Sequence, residues 1–227
     1  MTGEAAAPEA GSGPVTLVEG TTFCLSGRSG DIRPEFPEGL FFLDTRLLSD
    51  WQLRIDGVHP EPLAVTVDGP QAATFVSRLR PPKSGRSESL LLVRRRWVGR
   101  GLREDLSIRN HCAEPMTVEV ALSCDADFAD LFDVKQGNGV QPDAHGLEVH
   151  GASLELRQRR RRHARAITVA FSQAPEWRSG SAIWELKIEP GQAWECCAEL
   201  RVSVDDEPMA PRYTCAEPPT RSLPARR

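Results

Sequence analysis

Strict alternation of apolar and polar residues is the feature that most constrains the fold of this chain. Met116, Val118, Val120, Leu122 and Cys124 alternate with Thr117, Glu119, Ala121 and Ser123. Trp194, Cys196, Ala198, Leu200, Val202 and Val204 alternate with Glu195, Cys197, Glu199, Arg201 and Ser203. Successive side chains of a strand point to opposite faces, so each run has one face to bury. Gly, Pro, Asn or Asp breaks the pattern about every ten residues, the spacing of short antiparallel strands. Further strands are expected near Val15 to Val18, Thr22 to Leu25, Leu40 to Leu43, Trp51 to Ile55, Leu63 to Val67, Ala73 to Arg78, Ser89 to Val98, Leu102 to Arg109, Ser153 to Arg157, Ala164 to Phe171 and Ala182 to Ile188. About a dozen strands need two large sheets. The expected fold is therefore all-β: a large two-sheet antiparallel β-sandwich with few short helical turns. Asp56-Gly57 reads as a tight turn, and Asn110 to Pro115 as a longer hairpin connection.

One hairpin allows its register to be stated. If Gly99-Arg100-Gly101 is a three-residue turn, Val98 faces Leu102, Arg96 faces Glu104, Arg94 faces Leu106 and Leu92 faces Ile108 on a single face. Arg96 and Glu104 then sit within an apolar row. Buried charges are normally paired, so they read as a structural cross-brace, with a polar ligand groove as the alternative.

At 227 residues the chain is long enough to bury a large core as one all-β domain. A formal net charge of −4 offers no overall basic field for nucleic acid or an anionic membrane. Residues 1–14 are rich in Ala, Gly, Glu and Pro, without a basic start or an apolar run, and read as a disordered leader rather than a signal peptide. No stretch approaches the ~18 apolar residues of a transmembrane helix, so a cytoplasmic protein with reduced cysteines is expected.

The segment Asp125-Ala-Asp-Phe-Ala-Asp-Leu-Phe-Asp133 crowds four acids and two phenylalanines directly after a strand. A helical reading places Asp127 and Asp130 on one side, and Phe128 with Leu131 or Phe132 on a neighbouring side that anchors the turn. A calcium loop is excluded, because Ala129 stands where a fifth-position ligand belongs and Asp130 where glycine is required. Two readings stay open: an acid pair of the kind that flanks a glycosidic bond, or an N-capped turn with Asp125 or Asp127 accepting backbone N–H groups.

Cys24, Cys112, Cys124, Cys196, Cys197 and Cys215 show no Cys-x-x-Cys pair and no histidine at zinc-ligand spacing, so no metal site and no cofactor is expected. Cys124 and Cys196 continue apolar strand faces, whereas Cys197 points the opposite way. The run from Arg157 to Arg165 lacks an interleaved aromatic and reads as a solvated turn and edge. His59, His111, His145, His150 and His163 fall at turns or strand ends, while Trp51, Trp97, Trp184 and Trp194 lie in expected strands and default to core packing.

Taken in order, Phe23, Gly30-Asp31-Ile32, Gly39 to Ser49 with its Asp44-Thr45-Arg46, Trp51 to Gly57, Arg94-Arg95-Arg96, Gly101 to Glu104, Asn110 and Asp125 to Val134 resemble the N-terminal domain of microbial glycogen debranching enzymes of the amylo-α-1,6-glucosidase type. The likeness spans about Val15 to Val204. It implies a β-supersandwich that precedes an (α/α) toroid carrying the catalytic carboxylates for α-1,6 branch points. Residues 205–227, with Pro208, Pro211, Pro218, Pro219 and Pro224, read as a Pro-rich tail or linker, and the expectation is that residues 1–227 hold no toroid. The resemblance therefore transfers no catalytic residue, and it implies a module that packs against a helical glycosidase barrel, in cis or in trans, and supports α-glucan binding.

Asp44, Thr45 and Arg46, expected just after one strand, and Asp125, Asp127, Phe128, Asp130 and Phe132, just after another, are the candidate rim. Acids and arginine would meet sugar hydroxyls, and the phenylalanines would dock the partner domain. The alternatives are a stand-alone carbohydrate-binding or assembly module, and a glycoside hydrolase using two acids from Asp125 to Asp133.

Overall fold

A computed structural model describes residues 13–79, 89–137, 146–160 and 163–216. Most of the expected leader, His145, Arg161, Arg162 and the tail beyond residue 216 lie outside the described residues. The chain builds an antiparallel β-sandwich of three sheets. The first is four-stranded, in the order β1 (Val15–Glu19), β2 (Thr22–Ser26), β3 (Gly39–Phe42), β4 (Thr45–Leu48). The second runs β14 (Glu176–Arg178), β15 (Ser181–Ile188), β10 (Met116–Ser123), β5 (Leu53–Ile55). The third has nine strands: β11 (Gly146–His150), β12 (Ser153–Arg160), β13 (His163–Phe171), β16 (Ala193–Val204), β9 (Gly101–Asn110), β8 (Leu90–Val98), β7 (Ala72–Leu79) and β6 (Glu61–Val67), with β17 (Glu207–Pro208) paired to the end of β16.

The chain repeatedly leaves the large sheet and returns to it. β10 and the β14–β15 pair depart to a small sheet, so β13 and β16 become neighbours although two strands separate them in sequence. One continuous core fills the space between, drawing Leu17, Leu40 and Leu48 from the first sheet, Leu53, Val120 and Leu122 from the second, and Leu106, Ile167 and Leu200 from the third. The alternating runs explain this directly: Val118, Val120 and Leu122 are buried in β10, and Cys196, Ala198, Leu200 and Val202 in β16.

The expected second sheet is therefore two small sheets, joined by short bridges between Ile32 and Trp51 and between Asp50 and Asp125. β4, β11, β14 and β17 carry no long alternation and escape the sequence pattern. Thr45 and Arg46 lie within β4 rather than in a loop after β3. The arginine run occupies the β12–β13 hairpin, but β11 takes the sheet edge, and Arg157 and Arg159 both pair with Asp206. Among the described residues no helix is long and apolar enough to cross a membrane.

Candidate functional site

The two rim segments nominated from sequence run antiparallel to each other. Ser49 N–H and Asp50 N–H donate to the Asp125 carbonyl, Arg46 N–H to the Ala129 carbonyl at 2.8 Å, and Leu131 N–H to the Asp44 carbonyl at 2.8 Å. Arg46 and Asp127 lock this ridge. Arg46 Nε lies 3.1 Å from both Asp127 carboxylate oxygens, its Nη2 also pairs with Asp127, and its Nη1 donates to the Phe36 and Glu38 carbonyls at 3.2 and 3.1 Å. Gly39 makes the crossing feasible, because a Cβ there would stand 2.6 Å from Arg46 Cδ. Arg46 is only 4% exposed, and each of its three guanidinium nitrogens bonds within the protein.

Asp127 also accepts from Ala129 N–H at 3.2 Å, and the next residue, Phe128, takes a positive φ of 51°. A bulky residue pays for that backbone in strain. Its ring lies in the main core, which holds the loop down. The helical reading of the whole acidic segment is corrected accordingly. The only helix among the described residues, α1, spans Leu131–Gln136, and Asp130 rather than Asp125 or Asp127 caps it by accepting Phe132 N–H at 2.8 Å. Phe128 and Phe132 separate: Phe128 is 5% exposed and has no docking face, whereas Phe132 is 63% exposed. Val134 and Ala129 seat the turn against Phe41, with Phe23 stacked on Phe41 at 4.5 Å. Asp44, Asp130 and Asp133 are exposed near the Leu43 and Phe132 end of the ridge, and Asp125 is exposed at its other end, against Ser49 and Asp50.

Inside the sandwich, β8 and β9 pair in the register read from the hairpin, with Arg96 opposite Glu104 and Val98 opposite Leu102. Arg96 Nε donates to Glu104 Oε2 at 2.5 Å and its Nη2 to the Gly30 carbonyl at 2.5 Å. The brace is larger than two residues. Arg94 Nε and Trp51 Nε1 donate to Glu104 Oε1 at 2.9 and 3.1 Å, and Arg94 Nη1 reaches Asp31 Oδ1 at 2.5 Å. Two guanidinium groups thus meet two carboxylates, and the group is neutral as a whole, the condition under which buried charge is tolerated. Burial alone would push the Glu104 carboxyl up, but Arg94 and Arg96 together with the bonds from Trp51 and Arg96 hold it below the usual carboxylate range. Asp31 is held low in the same way, against burial, by Arg94 and by Leu53 N–H.

Sequence reasoning found Arg96 and Glu104 but missed Arg94, Asp31 and Trp51 as their partners. The available signal was Arg94 in the same inward row as Arg96.

Cys124 and Cys196 are buried, and burial raises both thiols. The expectation of fully reduced cysteines is corrected, because Cys197 and Cys215, with Cα atoms 5.9 Å apart, form a disulfide. Cys197 points out of the sheet as its position in β16 requires, and the chain beyond β17 folds back to meet it. Among the described residues no group of three or more His, Cys, Asp or Glu side chains converges as a metal site.

No curated protein matches the chain in sequence. In structure it is similar to a human-microbiome protein named as a kojibiose phosphorylase, with a TM-score of 0.54 at 6% identity, over 75% of this chain. The chain spans only 24% of that neighbour's length, so the likeness concerns the fold of one part. A family model for the N-terminal domain of some glycogen debranching enzymes matches residues 17–199, which takes in both rim segments and the buried network. The chain belongs to the family of N-terminal domains of glycogen debranching enzymes.

Proposed function

We propose that this domain is a non-catalytic support: it packs against a helical (α/α) glycosidase domain and lends the 43–46 and 125–133 segments to the rim of an α-glucan cleft. The observation that carries this reading is the ridge itself. Its internal charges are consumed by Arg46 and Asp127, while Phe132, 63% exposed, and Leu43, 45% exposed, project among Asp44, Asp130 and Asp133. A rigid ridge with an apolar tip suits docking, since exposed aromatics supply contact area at little entropic cost. The surrounding carboxylates suit glucose hydroxyls as acceptors.

Unaided hydrolysis is the weaker reading. It needs two acids poised across one bond. Asp127 is tied to Arg46, Asp130 caps α1, and Asp125 accepts Ala126 N–H at 2.8 Å.

The test mixes the chain with a separately produced helical catalytic domain of a debranching enzyme, and runs the chain alone through glycogen-containing native gels. Phe132→Asp with Leu43→Asp should weaken association about tenfold or more, and Asp44→Asn with Asp130→Asn should reduce retardation by glycogen. Unchanged association and unchanged retardation in these variants would overturn the proposal. Retardation by glycogen without any association would favour a stand-alone carbohydrate-binding module.

A further inference from the structure

The segment after β16 does not leave the sandwich within the described residues. Met209 N–H donates to the Val202 carbonyl at 2.8 Å, Arg212 N–H to the Gly99 carbonyl at 2.9 Å, and Cys215 N–H to Glu199 Oε2 at 2.8 Å. Arg103 Nη1 donates to the Thr214 carbonyl at 2.5 Å, and Arg212 pairs with Glu19 at 2.6 Å. Residues 209–215 thus form a strap over the outer face of β9 and β16. These bonds are few and single, and the Arg212–Glu19 pair is exposed, where water competes for it. The Cys197–Cys215 disulfide is the covalent tie.

Both sulfur-bearing residues are half-buried and line an open groove of about 320 Å³ beside Arg95, Arg103 and Asp105. Arg95 is exposed in the same groove, opposite Asp105 on β9. The other four cysteines are buried.

We propose that Cys197–Cys215 is a reversible thiol–disulfide modification site that latches the strap, and that a small dithiol or a dithiol protein opens it. One thiolate of the reductant attacks a sulfur of the pair and the S–S bond breaks, leaving a mixed disulfide and one protein thiolate, which takes a proton. The second thiol of the reductant then displaces the other cysteine. The protein gains two electrons and two protons, and the reductant becomes a disulfide. Without the tie the strap leaves, uncovering the β8–β9 turn and releasing Arg103 from Thr214.

Protein purified without reductant should show four alkylatable thiols after unfolding and six after reduction. Folded protein treated with dithiothreitol and then iodoacetamide should carry label on Cys197 and Cys215, with Cys24, Cys112, Cys124 and Cys196 untouched. Amide exchange in residues 209–215 should accelerate at least tenfold on reduction, while exchange in β8 and β16 keeps its rate. Cys215→Ser should exchange at the fast rate with or without dithiothreitol. Six free thiols in the untreated protein, a disulfide reduced only on global unfolding, or an unchanged strap exchange rate would each overturn the latch.

Discussion

The molecule holds two arginine–carboxylate constellations of different kinds. In the core, Arg94, Arg96, Glu104 and Asp31 cross-link β8 and β9 to the loop before β3, with Arg96 and Glu104 fully buried. On the ridge, Arg46 and Asp127 join two segments at the surface margin, where the Asp127 side chain keeps 11% exposure. The core group is balanced two against two and buried, with His59 approaching Asp31 from the surface side, so its members depend on one another. The ridge pair is one arginine clasping one carboxylate between two neighbouring segments, and backbone bonds on both sides share its work. Buried charge in this protein therefore sets how layers stack, whereas marginal charge sets the shape of one loop.

Glu104→Gln should produce the largest effect. It leaves Arg94 and Arg96 in the core with only Asp31 as counter-charge, and removal of one partner of a buried pair costs about 3–5 kcal/mol. Thermal unfolding should begin about 10 °C lower. A loss no greater than that of a surface substitution would erase the distinction between the two constellations.

Acid should reach the same network by a second route. The carboxyls of Glu104 and Asp31 titrate lower in the folded chain than in the unfolded one. Their contribution is therefore full above the unfolded value of about 4 and is lost as pH falls through the lower folded values. Melting temperature should decline below about pH 4, and Glu104→Gln should decline less steeply. Parallel curves for the two proteins would show that other carboxylates govern acid unfolding.

Asp127→Asn should be milder, about 2 kcal/mol, because Arg46 keeps the Phe36 and Glu38 carbonyls as acceptors. Its signature should be local, with faster amide exchange in residues 125–131 and unaltered exchange in β8 and β9. Exchange that rises equally in both regions would make the ridge part of the core. The smallest effect should come from Phe132→Ala, whose exposed ring leaves stability within about 0.5 kcal/mol. A larger loss would mean that the tip of the ridge carries folding rather than contact.

The legibility of these regions in the sequence follows the same divide. β8, β9, β10 and β16 announce themselves because one of their faces is apolar and the other polar, and the Gly99 to Gly101 turn then pins Arg96 opposite Glu104. β4 and β14 are four and three residues long, too short for a period to show. In the acidic segment the amphipathic pattern suggests a helix, but Arg46 draws Asp127 into a non-helical turn and the core takes Phe128. The apolar residues there point in two directions for tertiary reasons, which a helical projection cannot separate.

Alternation and turn residues alone determine that this chain is an antiparallel β-sandwich, which faces of its long strands are buried, and that an arginine and a glutamate meet inside it. The tertiary structure decided that Asp31 completes that pair from 63 residues before Arg94 in the chain, that Asp127 meets Arg46 across 81 residues, and that Cys215 returns to Cys197 across 18. Side-chain period is a property of a single strand and survives in a linear pattern. The position of a loop or a terminal segment is set by how separate sheets stack, a balance of burial and charge that exists only once the layers have met.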